Sequence, residues 1–341
     1  MNYAEWPLSA PINLTWEITH RCNLACIHCL SASQAEYLDE LSFDQCRSIV
    51  DQLAALKVFE INFGGGEPLL KDYFLDLADY IQGKGIVTCI STNGTLLSPA
   101  VVARLTGRPL VHIQVSLDGA TPEVNDRIRG QGSYARILAG ARLLSAANVP
   151  FAFNCVVTSQ NFAQLEELRR LADSFKAELR VSRFRPSGRA RASWEELKLE
   201  PAQLEGLSGW LGDHPGILTG DSFFSISARG RRELGLDMCG ACKMTCCLDP
   251  RGLVFPCAFL QEEEFCGGSL RKTSFKQIWD HSQAFQSFRR IEPAACLKCS
   301  RFASCRGGCP AVAYFVRGDL NSADPECLMN WSRGLKDERP V

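Results

Sequence analysis

Seventeen cysteines in 341 residues are the first chemistry the sequence offers, and they are unevenly spread. Three fall in Cys22-x-x-x-Cys26-x-x-Cys29, and eleven lie between Cys239 and Cys327. Three thiolates this close can wrap one face of a four-iron cubane, leaving one iron open to a ligand that comes and goes. Zinc is the competing use, with His20 or His28 as fourth ligand, although zinc sites favour paired Cys-x-x-Cys elements. The later cysteines read Cys296-x2-Cys299-x5-Cys305-x3-Cys309, with Cys327 after seventeen further residues. Upstream stands Gly252-x4-Cys257, preceded by Cys239, Cys242, Cys246 and Cys247. A zinc-ribbon-like domain is the alternative there. The chain is long and opens without an export signal, so reduced, metal-binding thiolates fit better than disulfides. Cys46, Cys89 and Cys155 lie in helix and strand patterns and read as core residues. Cys266 receives no role.

These residues need elements to position them. Six apolar, β-branched runs cover 14–19, 59–63, 87–92, 111–117, 151–158 and 179–184. Amphipathic segments alternate with them over 42–58, 71–82, 99–105, 134–147 and 162–175. The first opens on Ser42-x-x-Gln45, a capping box. Strand-helix alternation predicts a parallel sheet with right-handed crossovers. Six units are too few for an eight-fold barrel, so the expected fold is α/β, a partial (β/α)6 barrel; a doubly wound sheet is the alternative. A helical segment around 202–211 follows. From Cys239 the texture turns to short elements rich in Gly, Pro and Cys, where metal must supply much of the stability. The expected division is an extension over 1–13, the barrel over 14–200, a linker over 201–238 and a cysteine-rich domain over 239–341.

Composition bounds the function. A net charge of −1 and 46% hydrophobic residues describe an ordinary globular protein with no basic footprint for nucleic acid. No apolar run approaches a membrane span, and residues 1–11 lack the order of a signal peptide. A cytoplasmic location is expected.

Four more motifs fall at strand ends, where barrels of this type hold their chemistry. Gly64-Gly65-Gly66-Glu67-Pro68 follows the second strand; its glycines allow close backbone approach, and Glu67 can receive an ammonium. A tight turn is the plain alternative. Ser91-Thr92-Asn93-Gly94 follows the third, able to bind a ribose or to turn the chain. Ser116-Leu117-Asp118-Gly119 ends the fourth, with Asn125-Asp126-x-x-Arg129 shortly after. Arg offers a planar fork for a carboxylate, or a solvated surface cation. Arg183-x-Arg185-Pro186-Ser187-Gly188 ends the sixth, its arginines free to meet an anionic ligand.

Together, Cys22-x-x-x-Cys26-x-His28-Cys29 and these loops resemble the radical S-adenosylmethionine (SAM) superfamily. The resemblance implies a [4Fe-4S] cluster on Cys22, Cys26 and Cys29. Its open iron would be chelated by SAM, which is cleaved to a 5′-deoxyadenosyl radical. It implies SAM contacts from His28 near adenine and from Gly65, Gly66, Glu67, Asn93, Ser116 and Arg129. The later cysteines resemble the SPASM domain. That likeness implies two auxiliary [4Fe-4S] clusters, one on Cys239, Cys246, Cys257 and Cys309, the other on Cys296, Cys299, Cys305 and Cys327. Cys242 or Cys247 could replace Cys246.

Further stretches resemble the mycofactocin maturases. They include Leu14-Thr15-Trp16-Glu17, Ile113-Gln114-Val115-Ser116-Leu117-Asp118-Gly119-Ala120, Arg185-Pro186-Ser187-Gly188-Arg189 and Ser304-Cys305-Arg306-Gly307-Gly308-Cys309. Leu218-Thr219-Gly220-Asp221-Ser222-Phe223-Phe224 weighs most, since generic motifs have no place for it. That family implies a short ribosomal precursor peptide ending in Val-Tyr, decarboxylated at the tyrosine and then cross-linked to the valine. It also implies an electron donor. Only about a dozen residues precede the first strand, so a separate peptide-binding chaperone is expected. Other SPASM peptide maturases share the generic motifs. Ala258 after Cys257, where a sulfatase-type maturase has Asp, argues against base-catalysed chemistry of that kind. Outside enzymes, the alternative is a zinc-stabilised binding protein.

Overall fold

The computed structural model describes residues 8–35, 37–219 and 238–331. Six parallel strands form the frame: β1 (Asn13–Thr19), β2 (Glu60–Gly65), β3 (Val87–Thr92), β4 (Val111–Ser116), β5 (Phe151–Val157) and β6 (Glu178–Arg183). They pair in strict chain order, β6-β5-β4-β3-β2-β1. A doubly wound sheet reverses its order partway; sequential order puts every crossover on one face, which is the partial-barrel arrangement.

The alternation along each strand explains the two faces. Leu14, Trp16, Ile18, Ile61, Phe63, Ile113, Val115, Phe153, Val157 and Val181 all join the buried core beneath the helices. Trp16 stacks on Phe63 at 5.6 Å between centroids, and Phe63 meets Phe74 edge-on at 5.2 Å, pairs worth about 0.5–1.5 kcal/mol beyond their burial. The intervening residues are polar and cross-linked, Ser91 to Asn62 at 3.1 Å and Ser182 to Asn154 at 2.9 Å. The other face of the sheet is therefore polar.

The helices are α1 (Phe43–Ala55), α2 (Phe74–Gly83), α3 (Pro99–Leu105), α4 (Pro122–Arg129), α5 (Ser133–Ala146), α6 (Leu165–Ser174), α7 (Trp194–Leu197) and α8 (Pro201–Asp213). The Ser42/Gln45 capping box forms, Ser42 donating to Gln45 Oε1 at 2.9 Å. Two details differ from expectation. The segment over 162–175 begins as a 3₁₀ turn, Phe162–Gln164. The loop carrying Arg129 is α4, begun by Pro122 in its first turn, a start signal present in the sequence.

Both edges of the six-strand sheet are occupied. Along β6, Leu218 exchanges backbone hydrogen bonds with Leu179 and Val181 at 3.0 and 2.8 Å. Along β1, the cysteine-rich region contributes β7 (Cys247–Leu248), parallel, then β8 (Leu253–Phe255) and β9 (Gly268–Ser269), antiparallel. The sheet thus runs through nine strands. The remaining described elements are short, the longest being the helix Pro310–Arg317.

Candidate functional site

The loop after β1 carries Cys22, Cys26 and Cys29, all half-buried. Carbonyl groups hold it in place. Arg189 donates to the carbonyls of Cys26 at 2.8 Å, Ser33 at 3.2 Å and Ala32 at 3.3 Å. Ser187 reaches Leu30 O at 3.0 Å and Ser193 reaches Ile27 O at 2.9 Å. From the other side, Ile27 N–H donates to Ile128 O at 3.0 Å. The Arg- and Ser-rich run after β6 is thus the cradle of the cysteine loop. Arg189 is the functional residue whose role the sequence reading did not assign.

Gly65 and Gly66 are required by the chain itself. A Cβ at Gly66 would lie 2.0 Å from the Arg21 carbonyl oxygen, and one at Gly65, whose φ is +94°, 2.8 Å from that of Thr19. Their close approach lets Gly66 N–H and Glu67 N–H donate to Thr19 O and Arg21 O at 2.8 and 2.9 Å, locking the end of β2 under the cysteine loop. Glu67 is fully enclosed. Its carboxylate accepts Thr92 Oγ1 and Asn93 N–H, both at 2.7 Å, and Leu69 N–H at 3.2 Å. It joins the second and third loops. Asn93 continues the chain of contacts, donating to Asn23 at 2.8 Å with its amide 3.9 Å from Cys22 Sγ. Ser116 stands half-buried at the end of β4.

Beneath Cys26 lies a buried charge group. Asp118 meets His28 Nε2 at 2.8 Å and Arg129 Nε at 2.6 Å. Burial pushes the Asp118 carboxyl up, but the charges of Arg129 and His28 outweigh it and hold the group at about 2. Arg129 Nη1 is 4.0 Å from Cys26 Sγ. His28 Nδ1 is a buried nitrogen with no hydrogen-bond partner. His28 is therefore anchored by Asp118, a role that the Ser116-Leu117-Asp118-Gly119 motif does not reveal. Asn125 accepts Asp118 N–H at 3.1 Å, and Asp126 fixes the start of α5 through Gly132 and Tyr134 N–H, both at 2.7 Å.

The arginines after β6 divide. Arg183 does not face an anionic ligand. It forms a bidentate pair with Asp324 at 2.6 Å and also pairs with Glu326. Asp324 in turn accepts Cys309 N–H at 2.9 Å, and its own carbonyl accepts Cys327 N–H at 3.1 Å. One buried ion group thus links β6 to two of the expected cluster ligands. Arg185 stacks over Phe259 at 4.2 Å, close to the Cys257 loop.

No disulfide joins any of the cysteines. Burial drives several of the thiols upward, Cys26 and Cys296 to about 11 and Cys257 and Cys305 to about 12. Such groups are neutral thiols until a metal takes the proton's place. The chemistry of the donor set, free thiols with no disulfide among them, suits iron-sulfur clusters, with three thiols on the loop beside the strand ends and the others in the cysteine-rich region. Cys46 and Cys155 are core residues as expected, and Cys89 accepts Gln114 at 3.1 Å. Cys266, half-buried, reaches Gly268 O at 3.8 Å. The stretch 220–224 lies outside the described residues.

Family models match over two spans. Residues 16–172 match the radical SAM superfamily, and residues 239–309 match an iron-sulfur cluster-binding domain. The chain is similar to the mycofactocin maturase of Mycobacterium ulcerans, 43% identical over 98% of this chain and 93% of that one. The AdoMet-dependent heme synthase of Methanosarcina barkeri is 30% identical over 94% of this chain and 97% of its own. Among solved structures, Streptococcus suis SuiB bound to precursor peptide SuiA covers 94% of this chain, with 76% of that chain covered, TM-score 0.80 and 20% identity. Native anSMEcpe with bound AdoMet covers 95% of this chain, with 100% of that chain covered, TM-score 0.71 and 18% identity. These two likenesses are of fold.

Proposed function

Since the chain belongs to the radical SAM/SPASM family that includes the mycofactocin maturases, we propose that it matures a short ribosomal peptide ending in Val-Tyr. In this reading the tyrosine loses its carboxylate as carbon dioxide together with two hydrogens, and the valine β-carbon is then bonded to the remnant, closing a lactam. When bound, the cluster and SAM supply a carbon-centred radical by one-electron cleavage of the sulfonium.

The chain's own residues do the positioning. Cys22, Cys26 and Cys29 are the ligands, and Arg189 fixes their loop. Gly65, Gly66, Glu67 and Asn93 hold the neighbouring loops in register for SAM. The His28–Asp118–Arg129 group keeps a cation near Cys26 in a site shielded from water, where charge acts strongly. Ser116 borders the polar face of the sheet, the side on which a peptide would lie. A separate protein presenting the flexible peptide tail would offset the entropy of ordering it. An electron donor is required by the one-electron chemistry. A cytoplasmic setting suits low-potential iron-sulfur chemistry, and among the described residues no helix is long and apolar enough to cross a membrane.

The observation that carries the reading is the convergence of three free thiols with Glu67, Asn93 and Arg129 at one end of the sheet, in a chain alike over nearly its whole length to those maturases. The test uses anaerobically reconstituted protein, SAM, dithionite and a synthetic peptide ending in Val-Tyr, followed by mass spectrometry. Loss of carbon dioxide and two hydrogens is expected, with 5′-deoxyadenosine as co-product. Cys22→Ala should abolish both. Formation of 5′-deoxyadenosine with the peptide unchanged, even with a presenting protein added, counts against this substrate.

A further inference from the structure

The polar face of the barrel sheet carries side chains that satisfy one another only in part. Leu179 and Val181 belong to the core beneath the helices, so Arg180 and Ser182 stand on the opposite face of β6. Asn154 on β5 and Ser116 on β4 share that face, because Phe153 and Val115 are core residues. The register sets Ser116 opposite Asn154, and Asn154 opposite Arg180. The three form one row across the sheet, with Arg180 two strand spacings, roughly 9.5 Å, from Ser116. All three are half-buried, as are Asn62, Gln114 and Ser182. Half-exposed side chains at the alternate positions of neighbouring strands mean open space over this face.

Two donors in the row lack acceptors. Ser182 Oγ donates to Asn154 Oδ1 at 2.9 Å. That occupies the Asn154 carbonyl and leaves its NH2 group with no acceptor among the described residues. Arg180 is the stronger case. Its guanidinium has no ion pair and no hydrogen bond among the described residues. Glu60 and Glu178 lie on the same face by alternation, and neither comes within ion-pair distance of it. The buried arginines nearby behave differently: Arg129 pairs with Asp118 and Arg183 with Asp324, both at 2.6 Å. A cation drawn partly out of water with no anion beside it is costly.

An amide NH2 and a guanidinium fork thus stand on adjacent strands, both unanswered. A carboxylate answers both, since it brings two acceptor oxygens, a negative charge and no donor. A neutral carbonyl would serve Asn154 but leave the charge of Arg180 unmatched.

We propose that Arg180 and Asn154 bind the terminal carboxylate of the peptide substrate. This rests on the reading of that substrate as a chain ending in Val-Tyr. An internal tyrosine has an amide where a terminal one has a carboxylate, so the pair selects the chain end. The cation also keeps the group ionised, the form from which carbon dioxide departs. Ser116, at the far end of the row, sets this anchor near the loops read as holding SAM.

The test uses two synthetic peptides ending in Val-Tyr, one a free acid and one a C-terminal amide, each carrying a fluorophore at its N-terminus. Anisotropy titrations are run on the full chain, anaerobically reconstituted and loaded with SAM. Wild type should bind the acid about tenfold to a hundredfold more tightly than the amide, the range of one charge-assisted contact. Arg180→Gln should bind the two alike, and Arg180→Lys should keep part of the preference. Asn154→Asp is nearly isosteric and supplies Arg180 with a carboxylate, so it too should erase the preference. Circular dichroism checks that each variant folds. Equal binding of acid and amide by wild type, or a preference retained in Arg180→Gln or Asn154→Asp, overturns the assignment. A preference that behaves as expected, with no carbon dioxide lost on turnover, supports the anchor and overturns the decarboxylation reading instead. Binding of neither peptide overturns both.

Discussion

The two halves of the molecule hold their cysteines in opposite ways. In the barrel, Cys22, Cys26 and Cys29 lie on a loop fastened by Arg189, Ser187, Ser193 and the crowded backbone of Gly65 and Gly66. That loop leans on a sheet packed by Trp16, Phe63, Phe74 and Phe153, each fully buried. In the cysteine-rich region the strands are two or three residues long, and thiols are part of the interior: Cys242, Cys246, Cys247, Cys305 and Cys309 are buried there. The barrel fixes its cysteine loop with its own hydrogen bonds. The second region is built partly from thiols, so on the proposed reading cluster and fold stand together there.

The strongest way to break this comparison is to remove the iron. After chelation, native-state hydrogen exchange should rise sharply over 239–327, while the backbone amides of β2 to β5 keep their protection. Equal loss in both regions would erase the distinction.

A smaller effect sharpens the seam between the halves. Arg183→Met leaves Asp324 buried without its bidentate cation, which costs about 3 to 5 kcal/mol. The expected readout is a lower denaturant midpoint together with reduced occupancy of the auxiliary clusters, through Cys309 and Cys327, and unchanged 5′-deoxyadenosine formation. Unaltered auxiliary signals would show that the seam is mechanical only.

A third effect, spread over several pH units, concerns Glu17, which lies on β1 where the halves meet. Burial pushes its carboxyl from an ordinary value of 4.5 up to about 8, with a hydrogen bond from Gln261 opposing and the Asp249 charge adding. Between those values the folded chain keeps a proton that the unfolded chain gives up. Stability therefore falls as pH rises through that window, by up to about 1.4 kcal/mol per pH unit. Glu17→Gln should flatten that slope in urea titrations of the metal-free chain. A wild-type midpoint that climbs from pH 5 to 8 would contradict the assignment.

Much of the barrel was legible because strand and helix periods differ and because its motifs sit next to strand ends. The runs over 87–92 and 99–105 coincide with β3 and α3. The helix bearing Arg129 was passed over because its apolar residues are too few to show a period, although Pro122 marked its start. Contacts distant in sequence were the real limit. Nothing local tells that Arg183 answers to Asp324, that Arg189 returns to the Cys26 carbonyl, or that His28 is held by Asp118.

The nine-strand sheet carries a last consequence. β1 is an interior strand only because β7 lies along it. If oxidation dismantles the auxiliary clusters and β7 comes away, the β7-facing edge of Leu14-Thr15-Trp16 loses its backbone partners. An uncovered strand of that kind is a template for another chain. Damage by air would then be felt twice, first as lost chemistry and then as self-association, so that the cysteine-rich region also serves as a guard on the edge of the barrel.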